Sequence, residues 1–313
     1  MQSPDCAFSR DFIHVKDVCV PRRRNLETAL FPWNDRKGRL APLKLIVFAS
    51  LFLPGLWVAF QWWQGDLAPK PVTEALHQTG AWTVRLLLLS LAITPVRSIA
   101  HWPRLVDVRR MVGLGALAYV LIHLGLYVVD QKYDLWRVVT EIALRFYLTI
   151  GFVALLGLVA LGVTSTDAMV ARLGAQRWNR LHSVVYLLAV LSLFHAFLQA
   201  RLDVSEPVLM TGLFVALMGY RFMHARQWRG PLALAGLAVF AGLATALIEA
   251  AWYGVKTGVD VSRVLAANLA VDVAIRPSLW VFAIVLALVP LRFLGRARAP
   301  AGRAAPVRPA SAR

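Results

Sequence analysis

The sequence predicts an all-α, polytopic membrane helical bundle. Three observations predict it: an apolar composition, a regular series of long apolar runs, and a one-sided distribution of basic residues. Of 313 residues, 58% are hydrophobic and 16% charged, and the mean hydropathy is +0.60. That is more apolar side chain than one water-soluble core can bury and too little charge to solvate it, so a bilayer is the natural solvent.

Eight runs are long enough to cross about 30 Å at about 1.5 Å per residue. They fall at 43–61, 79–99, 111–129, 147–165, 181–200, 206–223, 231–251 and 278–294. The second contains Arg85 and the eighth is interrupted by Pro290, whose missing N–H breaks a helical ladder. Short loops join the first six into a core over 43–223. The last pair lies within 224–294, after Arg229-Gly230-Pro231, and basic tails at 1–42 and 295–313 flank the whole.

Lys and Arg are retained on the cytoplasmic side far more often than they are translocated. Segments 1–42, 97–110, 166–180, 221–230 and 292–313 carry twenty-four of them, against eight in the alternate segments 61–80, 130–146, 201–205 and 252–277. Both termini are therefore expected in the cytoplasm, which requires an even number of spans. The net charge of +17 does not indicate nucleic acid, because the basic residues sit between apolar runs rather than along one reading face. In the N-terminal tail, Arg22-Arg23-Arg24 and Arg36-Lys37 are expected to lie on anionic lipid, each contributing about 1 kcal/mol.

Cys6 and Cys19 match neither a metal or redox motif nor a disulfide framework. No cleavable leader is expected, since residues 1–42 lack an apolar run and the first span has no cleavage site after it. The longest polar segment is the 42-residue tail, so the chemistry is expected in or at the membrane. Val259 to Ile275 is expected to form an interfacial helix on the outer face.

Seven histidines divide by position. His14, His77, His101 and His224 fall in tails or loops, whereas His123, His182 and His195 fall inside predicted spans. An ionisable group inside the membrane is costly and marks function by default. His123 lies about 18 Å along its span and His195 about 21 Å along one running the same way, so the two sit at one level toward the outer side. Two imidazoles at matching depth on two helices are what a six-coordinate heme requires.

His182 lies about 20 Å from His195 along the same helix, near the cytoplasmic surface, a spacing that suits a second redox station. Thirteen residues at about 100° each leave it about 220° out of phase with His195, so a tilt or irregularity is expected between them. Fourteen residues before His123, where a partner for His182 would fall, stand Arg109 and then Arg110. Arginines at that level suit heme propionates or a flavin phosphate, and they equally suit the role of topology-setting charges.

Several strings then carry a resemblance: Leu91-Ala92-Ile93-Thr94-Pro95, Arg109-Arg110-Met111-Val112-Gly113-Leu114, His123-Leu124, Thr164-Ser165-Thr166, and Leu181-His182-Ser183-Val184-Val185-Tyr186 with His195 thirteen after His182. Over residues 43–223 the chain resembles the MsrQ (YedZ) family, membrane subunits related to ferric reductase and NADPH oxidase membrane domains. The resemblance implies a six-span core binding heme b, in one or two copies, and FMN. It further implies electrons drawn from the quinone pool and passed to a periplasmic molybdopterin subunit, MsrP, which reduces methionine sulfoxide in oxidised proteins. Such a chain is a non-catalytic electron-transfer subunit in the bacterial inner membrane. Residue by residue, the family's functional histidines fall on His123, His182 and His195, and its paired arginines on Arg109 and Arg110. The basic tail and the last two spans depart from the six-span pattern.

Two other functions compete. A self-sufficient ferric reductase needs a nucleotide-flavin domain, and the chain has neither a G-x-G-x-x-G opening a βα unit nor room for one. A proton-coupled transporter would use the histidines as a relay, but the expected inverted symmetry is missing and equal-depth histidines favour a shared ligand.

Overall fold

The structure is a computed structural model describing residues 31–34, 38–200, 203–228, 230–270 and 275–297. His14, Cys6, Cys19 and most of both tails lie outside the described residues. Apart from one isolated bridge between Asn34 and Leu40, the described residues are helices and their connections, as the series of apolar runs predicts. Seven helical segments are long and apolar enough to cross a membrane, and the eighth, Pro277–Phe293, is shorter. The chain is a multi-pass membrane protein.

The first span consists of α1 (Pro42–Ser50) and α2 (Leu53–Gln64). Pro54 has no N–H for the Ser50 carbonyl, and the ladder opens between them. The Tyr119 hydroxyl enters the gap: it donates to the Leu51 carbonyl at 2.8 Å and accepts from the Gly55 N–H at 2.7 Å. Those two backbone groups would otherwise bond each other, so the tyrosine holds the bend while leaving neither unsatisfied.

The second span, α3 (Pro71–Ile99), runs through Pro95 without ending. The missing Pro95 N–H orphans the Leu91 carbonyl, which instead accepts from Arg221 Nη2 at 2.9 Å. Arg221 also donates to Tyr186 Oη at 3.1 Å and to the Leu217 carbonyl at 3.1 Å. A proline defect in one span is thereby tied to two others. A 3₁₀ turn leads into α4 (Val106–Asp130), followed by the amphipathic α5 (Leu135–Leu144), capped by Asp134, and by α6 (Phe146–Val163).

Two short helices, α7 (Asp167–Leu173) and α8 (Ala175–His182), precede α9 (Val185–Gln199). The fifth span is therefore interrupted at Ser183 and Val184, where the phase argument required an irregularity. The bundle continues with α10 (Ser205–Ala225), α11 (Pro231–Thr257), α12 (Val261–Leu269), α13 (Pro277–Leu286) and α14 (Leu288–Ala297). The break between α13 and α14 has the predicted cause, since Pro290 cannot donate to the Leu286 carbonyl. α12 lies within the segment predicted to be interfacial.

Two cores organise the bundle. The larger joins α3, α4, α6 and α9 through Leu87, Leu91, Val112, Ala116, Leu158, Leu188 and their neighbours. The smaller joins α10, α11 and α13 through Ala216, Ala238, Ala241 and Val281. Small residues permit the close approach: a Cβ at Gly212 would collide with Thr245 and Val281. The last two spans are thus packed onto α10 rather than loosely appended. In the C-terminal half of α11 the fully buried Glu249 accepts from Asn268 Nδ2 at 2.9 Å and from Arg276 at 3.3 Å. Asn268 in turn accepts from the Ser278 hydroxyl at 2.6 Å, so one polar network fixes α12 and the start of α13 to α11.

Candidate functional site

α4 carries His123 and α9 carries His195, and the fold brings the two rings together. Their centroids are 6.4 Å apart with ring planes at 89°. Both line a cavity of about 370 Å³ formed by α3, α4, α6, α9 and the start of α10.

The two rings are held in the same way. His123 Nδ1 is 2.9 Å from the Leu76 carbonyl oxygen, and His195 Nδ1 is 2.8 Å from the Tyr147 carbonyl oxygen. A carbonyl only accepts, so Nδ1 carries the proton in both rings and Nε2 keeps its lone pair. One helical turn beyond each carbonyl stands a glycine. A Cβ at Gly80 would lie 2.9 Å from His123 Nδ1, and one at Gly151 would lie 2.8 Å from His195 Nδ1. The missing side chains are what let each imidazole lie against a helix and reach its carbonyl.

The spacing admits a shared metal as well as an ordinary edge-to-face ring contact. A metal bound to one nitrogen of each ring at about 2.0 Å, with that nitrogen about 1.2 Å from its ring centre, separates the centroids by about 6.4 Å. The observed 6.4 Å is that distance. Among the described residues no three His, Cys, Asp or Glu side chains converge to hold a metal ion. Two imidazoles leave a metal short of ligands, so the pair fits a metal that brings its own macrocycle. Val84, Val120, Leu155, Leu158 and Leu193 complete the cavity wall and suit a flat apolar ring system.

One end of the cavity is polar, lined by His77, Tyr127, Gln199, Asp203 and Glu206. Glu206 pairs with Arg85 at 2.6 Å, and Arg85 lies over the Trp82 ring at 4.6 Å. The arginine that interrupts the second predicted span is thus neutralised within the bundle. Asp203 accepts from the Ser205 N–H at 2.9 Å, and the Ser205 hydroxyl and amide hold its carboxyl below the usual carboxylate range.

His77 corrects the sequence reading. The apolar run starting at 79 puts His77 in the preceding loop, but α3 begins at Pro71 and places His77 on the cavity wall. The two extra turns carry Thr73, Glu74, His77 and Gln78, whose polarity hides the helix from a hydropathy window. The His77–Gly80 spacing, one turn on one helix face, was the available signal.

His182 stands apart from this pair. It ends α8, stacks on Trp178 with centroids 3.8 Å apart, and has Nδ1 3.2 Å from the Trp178 carbonyl and Nε2 3.3 Å from Ser165 Oγ. Both nitrogens are engaged within the chain. Of the two nearby arginines, Arg110 pairs with Asp167 at 2.7 Å. Arg109 is half-buried near Tyr186 and Arg221, and among the described residues no hydrogen bond engages it.

Within this helical membrane bundle, residues 79–193 match the family model for the ferric reductase like transmembrane component. More narrowly, the chain belongs to the MsrQ family. It is 41% identical over 196 residues to the protein-methionine-sulfoxide reductase heme-binding subunit MsrQ of Rhodospirillum rubrum, covering 62% of this chain and 92% of that protein. The MsrQ of Caulobacter vibrioides is 39% identical, covering 58% of this chain and 87% of its own length. That of Xanthomonas axonopodis pv. citri is 36% identical, covering 59% and 88%. No solved structure matches the chain at a significant level.

Proposed function

We propose that this chain is the heme b-binding, electron-transfer subunit of a protein-methionine-sulfoxide reductase system. In this reading it sits in the bacterial inner membrane with both termini cytoplasmic. It takes electrons from the quinone pool and delivers them to a periplasmic molybdopterin subunit of the MsrP type. The observation that carries the reading is the His123–His195 pair, 6.4 Å apart, with both Nδ1 atoms tied to backbone carbonyls.

Bound between the two imidazoles, heme supplies one-electron redox chemistry. The chain's own residues set its conditions. Hydrogen bonds from Nδ1 to Leu76 and Tyr147 raise the donor strength of the opposite nitrogens and fix the ring planes. The apolar wall excludes water and lowers the local dielectric, which is a lever on potential. Residues 43–223 form the heme-binding core in this reading.

His182, Arg109 and Arg110 form the proposed inner cofactor-binding set, for a second heme or FMN. Arg109 is the cation there without a hydrogen-bond partner among the described residues, and suits a phosphate or carboxylate. To serve as a ligand through Nε2, His182 would give up its contact with Ser165 and keep Nδ1 on the Trp178 carbonyl.

The test is a reduced-minus-oxidised spectrum of the detergent-purified protein with pyridine hemochrome quantitation, repeated on His123→Ala, His195→Ala and His182→Ala. The wild type is expected to show a low-spin b-type signal, lost in the first two variants while insertion persists. Folded wild-type protein without heme, or normal spectra in both variants, overturns the reading. Reduction by a quinol and reoxidation by the molybdopterin partner test the electron path.

A further inference from the structure

The polar end of the cavity holds a group that the bis-histidine arrangement does not use. His77 is exposed, lines the same cavity as His123 and His195, and is an electrostatic neighbour of both. It stands one turn before Gly80, the position against which His123 packs. Among the described residues no hydrogen bond or ion pair engages its ring. The neighbouring charged groups are already committed: Glu206 to Arg85, Arg276 to Glu249, and Asp203 to Ser205.

A protoheme carries two carboxylates on one edge of an otherwise apolar disc. Those carboxylates are excluded from the apolar wall of Val84, Val120, Leu155, Leu158 and Leu193, where an unpaired charge is prohibitively costly. They are also repelled by Asp203 unless a donor receives them. Among the described residues, the cavity donors without a hydrogen-bond partner are His77, Tyr127, Ser192 and Gln199, and of these only His77 can carry a positive charge.

We propose that His77 binds a carboxylate of the tetrapyrrole at the polar end of the cavity, and so sets which edge of the ring faces that end. The assignment rests on the heme reading above, and its test separates the two. The purified protein is loaded with protoheme or with the dimethyl ester of protoheme, which lacks the charged groups, and heme loss to excess apomyoglobin is timed for wild type, His77→Leu and His77→Gln.

With protoheme, His77→Leu is expected to lose heme about fivefold faster than wild type, the scale of one charge-assisted hydrogen bond at a partly solvated site. His77→Gln, which keeps an N–H donor without the charge, is expected to fall between them. With the dimethyl ester, all three are expected to release heme at one rate, with the low-spin spectrum retained throughout. Equal loss rates with protoheme overturn the proposal, as does an acceleration by the same factor with both hemes, which marks a packing role. If His77→Leu does not accumulate, the comparison of His77→Gln with wild type on the two hemes decides by the same criteria. Folded wild-type protein that takes up neither heme refutes the heme reading instead.

Discussion

Gly151 offers the sharpest test of the site because its effect is set by one distance. In Gly151→Ala the new methyl lies 2.8 Å from His195 Nδ1 and Cε1 and 3.1 Å from Cγ. Uncharged heavy atoms settle at about 3.5 Å, so the imidazole must retreat by about 0.7 Å. That retreat stretches the 2.8 Å bond to the Tyr147 carbonyl beyond good hydrogen-bond geometry, about 3.2 Å. It also shifts the ring relative to His123 by several times the tolerance of about 0.2 Å of a metal–ligand bond. The helix itself is not harmed, since alanine is preferred to glycine there by about 1 kcal/mol. Heme affinity is therefore expected to fall about 10- to 100-fold, the scale of losing a supporting contact to a ligand, with conversion from low-spin to high-spin absorption in a protein of unchanged thermal stability. Gly80→Ala should act equally on His123, where the methyl lies 2.9 Å from Nδ1. Gly125→Ala, on the same helix as His123 with nothing within 4 Å, should leave the spectrum unchanged. A Gly151→Ala protein with wild-type heme content and low-spin spectrum refutes the reasoning.

Other predictions concern the scaffold. Arg221→Met should destabilise the detergent-solubilised protein by about 2 kcal/mol, and by about 1 kcal/mol less in a Pro95→Ala background, where a restored N–H satisfies the Leu91 carbonyl; strict additivity in thermal unfolding would show that the two sites are uncoupled. Tyr119→Phe should cost about 1 kcal/mol and allow Gly55 to bond Leu51 directly, seen as a changed distance between spin labels on α1 and α2. Glu249→Leu, which strands Asn268 and unpairs Arg276, should cost about 2–3 kcal/mol and make the connection between α11 and α13 sensitive to protease, while Glu249→Gln keeps most of the stability.

Much of the fold was legible because the bilayer imposes a simple rule: backbone polar groups must be satisfied inside the protein, chiefly within helices, so a span is a run of apolar residues. The eight runs follow from that rule, the defect at Pro290 from its missing N–H, and the irregularity between His182 and His195 from helical phase. The rule is silent where the end of a helix is polar. The first turns of α3 escaped the hydropathy reading for that reason, and with them His77. The Arg85–Glu206 pair was hidden because sequence separation says nothing about which charges meet.

The matched depth of His123 and His195 was calculable from the rise of a helix, and that much the sequence determined by itself, along with the membrane class, the number of runs and the charge asymmetry. Which way each ring turns was decided only by the tertiary structure. The carbonyls of Leu76 and Tyr147 and the bare faces of Gly80 and Gly151 belong to other helices, brought beside the histidines by packing. A depth along a helix is a local, additive quantity, whereas a 6.4 Å separation between rings depends on the relative rotation of two helices and on the atoms each finds on its neighbour.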